Sequence, residues 1–196
     1  MPIGTIAMWH WYVSRFDNHA PSVDARAHMD AFAALAPVSE AYAHLPVAEA
    51  FDWSGVGRQL GTGEWYLVAF RSIRRLDADE VRLNEFDERA HLEAQSSPEF
   101  VHYFKGPSEA DRSCLSFCLW TSRAEARAAS GRPAHIEAVS VIAEMYERYT
   151  LEFLRVTGRA GQPLGFEPYD AAPAGHPEGA SLPLFGLPVP GAAPAS

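Results

Sequence analysis

The hydrophobic pattern of residues 65–157 changes period in a fixed order (strand, helix, strand, strand, helix, strand), and that order leaves few folds open. Residues 65–74 (Trp-Tyr-Leu-Val-Ala-Phe-Arg-Ser-Ile-Arg) are nearly all β-favouring and contain no Gly or Pro, which predicts a strand. Asp77 followed by Glu80 is an aspartate form of the capping box and predicts a helix start. Leu83, Phe86, Ala90 and Ala94 fall on one face of that helix, and Pro98 ends it. Residues 100–104 make a short second strand, stopped by Lys105-Gly-Pro107, and residues 114–120 make a third. Ser122 and Glu125 form a second capping box.

Gly131 and Pro133 divide the second helix into a short and a long piece. In the long piece His135, Val139, Ile142, Tyr146 and Tyr149 recur at intervals of 4, 3, 4 and 3, the spacing of one helical face. Residues 151–157 complete a β-α-β-β-α-β unit, whose two helices can both lie on one face of a four-stranded antiparallel sheet. On the third strand Leu115, Phe117 and Leu119 point one way, and Cys114, Ser116, Cys118 and Trp120 the other. Neither side is charged. With helices on the first side, the second would present a large apolar patch to water, which soluble monomers rarely tolerate. The expected cover is the same face of a second copy, making a homodimer through the sheet face.

Around this unit the composition shifts. Residues 1–60 read as an N-terminal extension without a clear period, with a possible helix from Asp30 to His44 interrupted by Pro37. Residues 61–157 hold the α+β domain. Residues 158–196 carry eight of the fifteen prolines and seven of the fourteen glycines, so regular structure is not expected there. Within that tail, Leu182-Pro-Leu-Phe-Gly-Leu-Pro-Val-Pro190 could dock in extended form on a partner. Met29 offers an internal start that would omit the aromatic run Ile6-Ala-Met-Trp-His-Trp-Tyr-Val13.

Charge and cysteine usage narrow the partners. A net charge of −9, with Lys105 the single lysine, argues against nucleic acid, which needs a basic face. The apolar N-terminal run is too short to span a membrane, and no other stretch approaches ~20 apolar residues. On one strand, Cys114 and Cys118 would have Cα atoms roughly 13 Å apart, beyond the ~7 Å limit of a disulfide. A soluble, reducing, cytoplasmic setting is expected.

The run Leu115-Ser-Phe-Cys-Leu-Trp-Thr-Ser-Arg-Ala-Glu-Ala, followed by Pro133-Ala-His135, resembles the antibiotic-biosynthesis monooxygenase family. The resemblance spans residues 65–157 and implies a ferredoxin-like subunit of the dimeric α/β-barrel superfamily. It also implies cofactor-independent monooxygenase chemistry on a small aromatic or polyketide-like acid, with no cofactor. Haem-degrading members place a tryptophan where Trp120 stands. Their histidine ten residues later is Ser130 here, and residues 65–74 lack their asparagine, so that branch is disfavoured.

His135 is the candidate catalytic base, able to take a proton from a phenol or a 1,3-dicarbonyl carbon near neutral pH. Its structural alternative is a helix-start histidine bonded to a backbone group. Trp120, Tyr146, His91 and Tyr103 are the candidate substrate-binding residues, forming an aromatic wall that could equally be packed core. His91, His102 and His135 match no metal-ligand spacing, and no metal is expected. The alternative function is a non-catalytic, ligand-binding or structural homodimer of the same fold.

Overall fold

The computed structural model describes residue 32 and residues 35–169. Five strands form one antiparallel sheet: β1 (Gly63–Arg74), β2 (Phe100–Phe104), β3 (Ser113–Trp120), β4 (Tyr146–Gly158) and β5 (Gly165–Pro168). Their order is β2-β3-β1-β4-β5. Before the sheet come a 3-10 turn (Tyr42–His44) and helices α1 (Val47–Ala50) and α2 (Trp53–Leu60). Between the strands lie α3 (Glu80–Gln95), α4 (Arg123–Ser130), α5 (Pro133–Ser140) and α6 (Ile142–Met145). The first four strands with the helices between them are the ferredoxin-like β-α-β-β-α-β arrangement, with β1 and β3 at the centre.

β1 and β3 pair in one continuous register from Tyr66 opposite Trp120 to Ile73 opposite Ser113. Alternation then sorts their side chains cleanly. Trp65, Leu67, Ala69, Leu115, Phe117 and Leu119 share one face, and Tyr66, Val68, Phe70, Ser72, Cys114, Ser116, Cys118 and Trp120 share the other. Both faces are covered, which is why β1 is buried without a break from Trp65 to Ala69.

The cover differs from the expected one in both identity and side. The helices α3 and α5 stand over the Cys114–Trp120 face, not over the Leu115–Phe117–Leu119 face. The latter is sealed by the chain's own N-terminal segment, with Phe32, Tyr42, Val47, Phe51, Trp53 and Val56 in one core with Leu67, Leu115 and Phe117. The premise that a second copy must cover a bare sheet face is therefore corrected: the cover is intramolecular. Phe51 sits edge-on to Phe104 at 4.8 Å and to Phe117 at 5.3 Å between ring centroids. Each such pair adds about 0.5–1.5 kcal/mol beyond burial. Arg71 of β1 ties the segment down, donating to the carbonyls of Ala43 and Leu45 (2.6 Å for the latter) while paired to Glu152. The Tyr42 hydroxyl donates to Pro107 O at 2.9 Å. Gly106 must be glycine beside that contact, because a Cβ would collide with the Leu115 carbonyl oxygen and the Tyr42 hydroxyl.

Four local expectations change as well. The cap of α3 is Asp79, whose carboxylate accepts from Arg82 N at 3.0 Å, while Asp77 pairs with Arg75 instead. The long second helix stops at Met145, and Tyr146 and Tyr149 belong to β4. Their three-residue spacing keeps one face because a bulge at Glu147 shifts the register: Tyr149 opposes Ser72, and Tyr146 opposes Arg74. Within the Pro/Gly-rich tail, β5 pairs with β4 from Leu154 opposite Pro168 to Thr157 opposite Gly165. Finally, of the residues described within 30–44, Phe32 is helical and Tyr42–His44 form a 3-10 turn, with a bridge and bends between, and α1 and α2 follow where no period was visible. The second capping site is as expected, with Ser122 Oγ accepting from Glu125 N at 3.2 Å. Residues 6–13 and 182–190 lie outside the described residues.

Candidate functional site

Where α3 and α5 cross the even-numbered face of the sheet, they leave a cavity of about 150 Å³. Small residues of the two helices, Ala90, Ala94 and Ala138, are among those that line it. His135, Trp120, Tyr146, His91 and Tyr103, from five different elements, all line this one space.

A polar chain runs along one wall. The Tyr103 hydroxyl donates to Asp87 at 2.6 Å, Asp87 pairs with Lys105 at 2.7 Å, and Lys105 donates to Asn84 Oδ1 at 2.9 Å. Burial, reinforced by the Asp87 carboxylate, pushes the Tyr103 phenol well above its ordinary range. Burial also raises Tyr146 to about 12, against the opposing pull of Arg74, and lifts Tyr149 well above its ordinary range. These three phenols are un-ionised near neutral pH, and Tyr103 is the one whose hydroxyl is seen donating, to Asp87.

The two cavity histidines are both held in the neutral form. Burial lowers His91, with Asp87 opposing, and lowers His135, with Glu93 opposing. At α5 it is the backbone N of His135, not its ring, that makes the local contact, donating to Glu93 Oε2 at 3.2 Å. A neutral, half-buried imidazole at a cavity wall can accept a proton. Trp120 is buried, edge-on to Phe100 at 5.2 Å, and its Nε1 donates to Cys118 Sγ at 3.1 Å, so it forms a fixed floor.

His102 does not join them. It lies on the sealed face, stacked on Phe32 at 4.7 Å, so the three histidines share no site. Metal-ligand types gather elsewhere, where His44, Glu109 and Asp111 bring donor atoms within 4.8 Å of one another. There His44 Nε2 bonds Asp111 at 3.0 Å and the Ala43 N–H reaches Glu109 at 3.1 Å, latching the N-terminal cover to the β2–β3 loop.

Asp87, Lys105, Asn84 and Arg74 line the cavity and were not singled out from the sequence. Asp87 carried a readable signal. Positions 83, 87, 90 and 94 are spaced 4, 3 and 4, so an acid sits on the apolar stripe of α3. Lys105, the single lysine, is the second such signal, since its Nζ reaches back to that acid.

A family model described as PB2B2.08-like matches residues 14–167, a span that includes the cover, the β-α-β-β-α-β unit and most of β5. The chain belongs to the PB2B2.08-like family. Among curated relatives it is similar to UPF0643 protein PB2B2.08 of Schizosaccharomyces pombe, 26% identical over 170 residues, covering 78% of this chain and 70% of that one. Among solved structures it is similar to Rv0793 from Mycobacterium tuberculosis (18% identity, 46% of this chain and 92% of that one, TM-score 0.42). SnoaB, a cofactor-independent oxygenase from Streptomyces nogalater, gives 18% identity, 52% and 98% coverage, and a TM-score of 0.39. A dimeric ferredoxin-like protein from Thermobifida fusca gives 13%, 47% and 92%, and 0.39. The ferredoxin-like assignment stands on the strand order of this chain itself. Among the described residues, no helix is long and apolar enough to cross a membrane.

Proposed function

We propose that this family member is a cofactor-independent, monooxygenase-like enzyme that holds a small aromatic molecule between the helices and the sheet. His135 is its general base, and Trp120, Tyr146, His91 and Tyr103 form its walls. The observation that carries this reading is the cavity, which gathers two neutral imidazoles and un-ionised phenols against an aromatic floor. Its size favours a single-ring compound over a fused polyketide, since a cavity of about 150 Å³ takes one benzene ring. The free thiols Cys114 and Cys118 suit a reducing, cytoplasmic setting.

In this scheme His135 takes a proton from an activated carbon or phenol of the substrate. Dioxygen adds to the resulting carbanion, and the proton returns to give a hydroperoxide. Loss of water then leaves a carbonyl where a CH₂ stood, which in a quinol is the ring CH₂ of its keto tautomer. One oxygen atom enters the product and the other leaves as water, with the substrate as the sole reductant.

The test is protein-dependent dioxygen uptake with single-ring quinols and, as a size control, anthrone, in metal- and flavin-free buffer. His135→Ala should lower turnover of an accepted quinol by about 100-fold, the low end for a general base. Absence of uptake with every compound, or full activity in the variant, would remove the reading.

A second reading, ligand holding without turnover, is favoured by one observation: the His135 ring has no hydrogen-bonding orienter among the described residues. Catalytic bases are usually fixed by such a third group. Stoichiometric binding with no dioxygen consumption is its expected signature.

A further inference from the structure

The cavity has two chemically different ends, set by the strand register. Cys114 opposes Ser72 near one end of β3, and Trp120 opposes Tyr66 at the other. Six residues at ~3.3 Å each separate them by about 20 Å. At the Trp120 end lie Phe100 and Ala94, with the His91 ring 5.8 Å from that of Phe100 and the His135 N–H on Glu93, next to Ala94. At the Cys114 end lies Arg74, paired across the sheet with Tyr146.

Arg74 is an unusual residue to find there. Its side chain is only 15% exposed, yet it is a charged group on the wall of the cavity. One terminal nitrogen, Nη1, is turned to Glu80, whose own side chain is 53% exposed and is not part of the cavity wall. Its Nε is buried with no hydrogen-bond partner among the described residues. Lys105, the other cation of the lining, is already engaged by Asp87 and Asn84. An incompletely satisfied guanidinium is a fork suited to the two oxygens of a carboxylate.

From this geometry we infer that the cavity takes a single-ring aromatic carboxylate, with the ring against Trp120 and the imidazoles and the carboxylate held by Arg74. The inference rests on the cavity being the ligand site of the proposed function, and adds to it the class of molecule and its direction. A flexible arm between ring and carboxylate suits a site whose cation and aromatic floor stand toward opposite ends.

Calorimetric titration of the full-length protein under nitrogen tests this without requiring turnover. The probes are 3-phenylpropionate and its uncharged counterpart 3-phenylpropionamide. The acid should bind about tenfold more tightly than the amide. Arg74→Met should bring the two to about equal affinity. Glu80→Gln, a change at an exposed side chain, should strengthen the acid alone by several-fold, and it does so without removing the buried cation. Equal binding of acid and amide to the native protein, an acid preference that survives Arg74→Met, or one lost only in Lys105→Met would each overturn the assignment. So would failure of both probes to bind. A protein that prefers the acid but consumes no dioxygen upholds this inference while sinking the oxygenase reading, and the reverse result does the opposite.

Discussion

The two faces of this sheet are written by alternate residues of the same strands, yet one is solid and the other hollow. On the solid face Leu67, Ala69, Leu115 and Phe117 are wholly inaccessible, filled against by rings from residues 32–60. On the hollow face the helices present Ala90, Ala94 and Ala138 to the strands, and the gap is lined by groups able to bond or ionise. The difference teaches where stability and chemistry reside. Dense interdigitated packing is what one face supplies, and space with a few converging polar groups is what the other supplies. The intramolecular cover makes that division possible within a single chain, because the solid face needs no second copy.

Breaking the solid face should have the largest effect. Phe117 touches Phe51, Trp53 and Phe104 with ring centroids 5.3, 5.4 and 5.6 Å away. Phe117→Ala should cost about 3–5 kcal/mol in urea unfolding, the range for a buried phenylalanine that leaves a cavity. A loss below about 1 kcal/mol would mean that the cover packs loosely and that the contrast between the faces is false.

Protonation offers a gentler way to strike the same face. Burial holds the His102 imidazole down at about 4, against 6.5 for an exposed histidine, and its Nε2 has no partner among the described residues. The folded pKa is lowered, so between those values the unfolded chain binds a proton that the folded chain refuses. Stability contributed by the neutral ring is thus intact above pH 6.5, falls as the pH drops toward 4, and levels off below. His91 and His135 are lowered in the same direction and add to the slope. Between pH 7.5 and pH 5 the native protein should lose about 1–2 kcal/mol more than His102→Phe. Parallel pH profiles for the two proteins would show that His102 meets water after all.

Much of this was legible from residues alone, for definite reasons. Residues 65–74 and Phe100–Phe104 read as strands because nothing in them favours any other state, and both are found as strands. Alternation alone could not decide which face the helices take, since both sides of residues 114–120 are uncharged. The deciding information lay in residues 32–60, whose apolar side chains follow no regular period and so advertise no partner. Tyr146 and Tyr149 mimicked a helical face because a bulge adds one residue to a two-residue repeat. The aromatic and imidazole members of the cavity could be named in advance, since their chemistry is unusual wherever they sit. Asp87 and Arg74 could not, because their meaning depends on being enclosed.

The smallest expected effect sharpens the comparison from the hollow side. Tyr103→Phe removes one hydroxyl that donates to Asp87 at 2.6 Å, and leaves Asp87 its ion pair with Lys105 at 2.7 Å. The ring and its contact with His91, at 4.9 Å between centroids, are retained. Because Asp87 keeps a charged partner and adjoins open space, the loss should be about 1 kcal/mol, that of one hydrogen bond. Urea unfolding of the variant beside Phe117→Ala gives the measurement. A loss as large as that of Phe117→Ala would mean that the polar wall bears as much of the fold as the aromatic core. The cavity would then be a structural void with a satisfied rim, and the substrate titrations would be expected to come up empty.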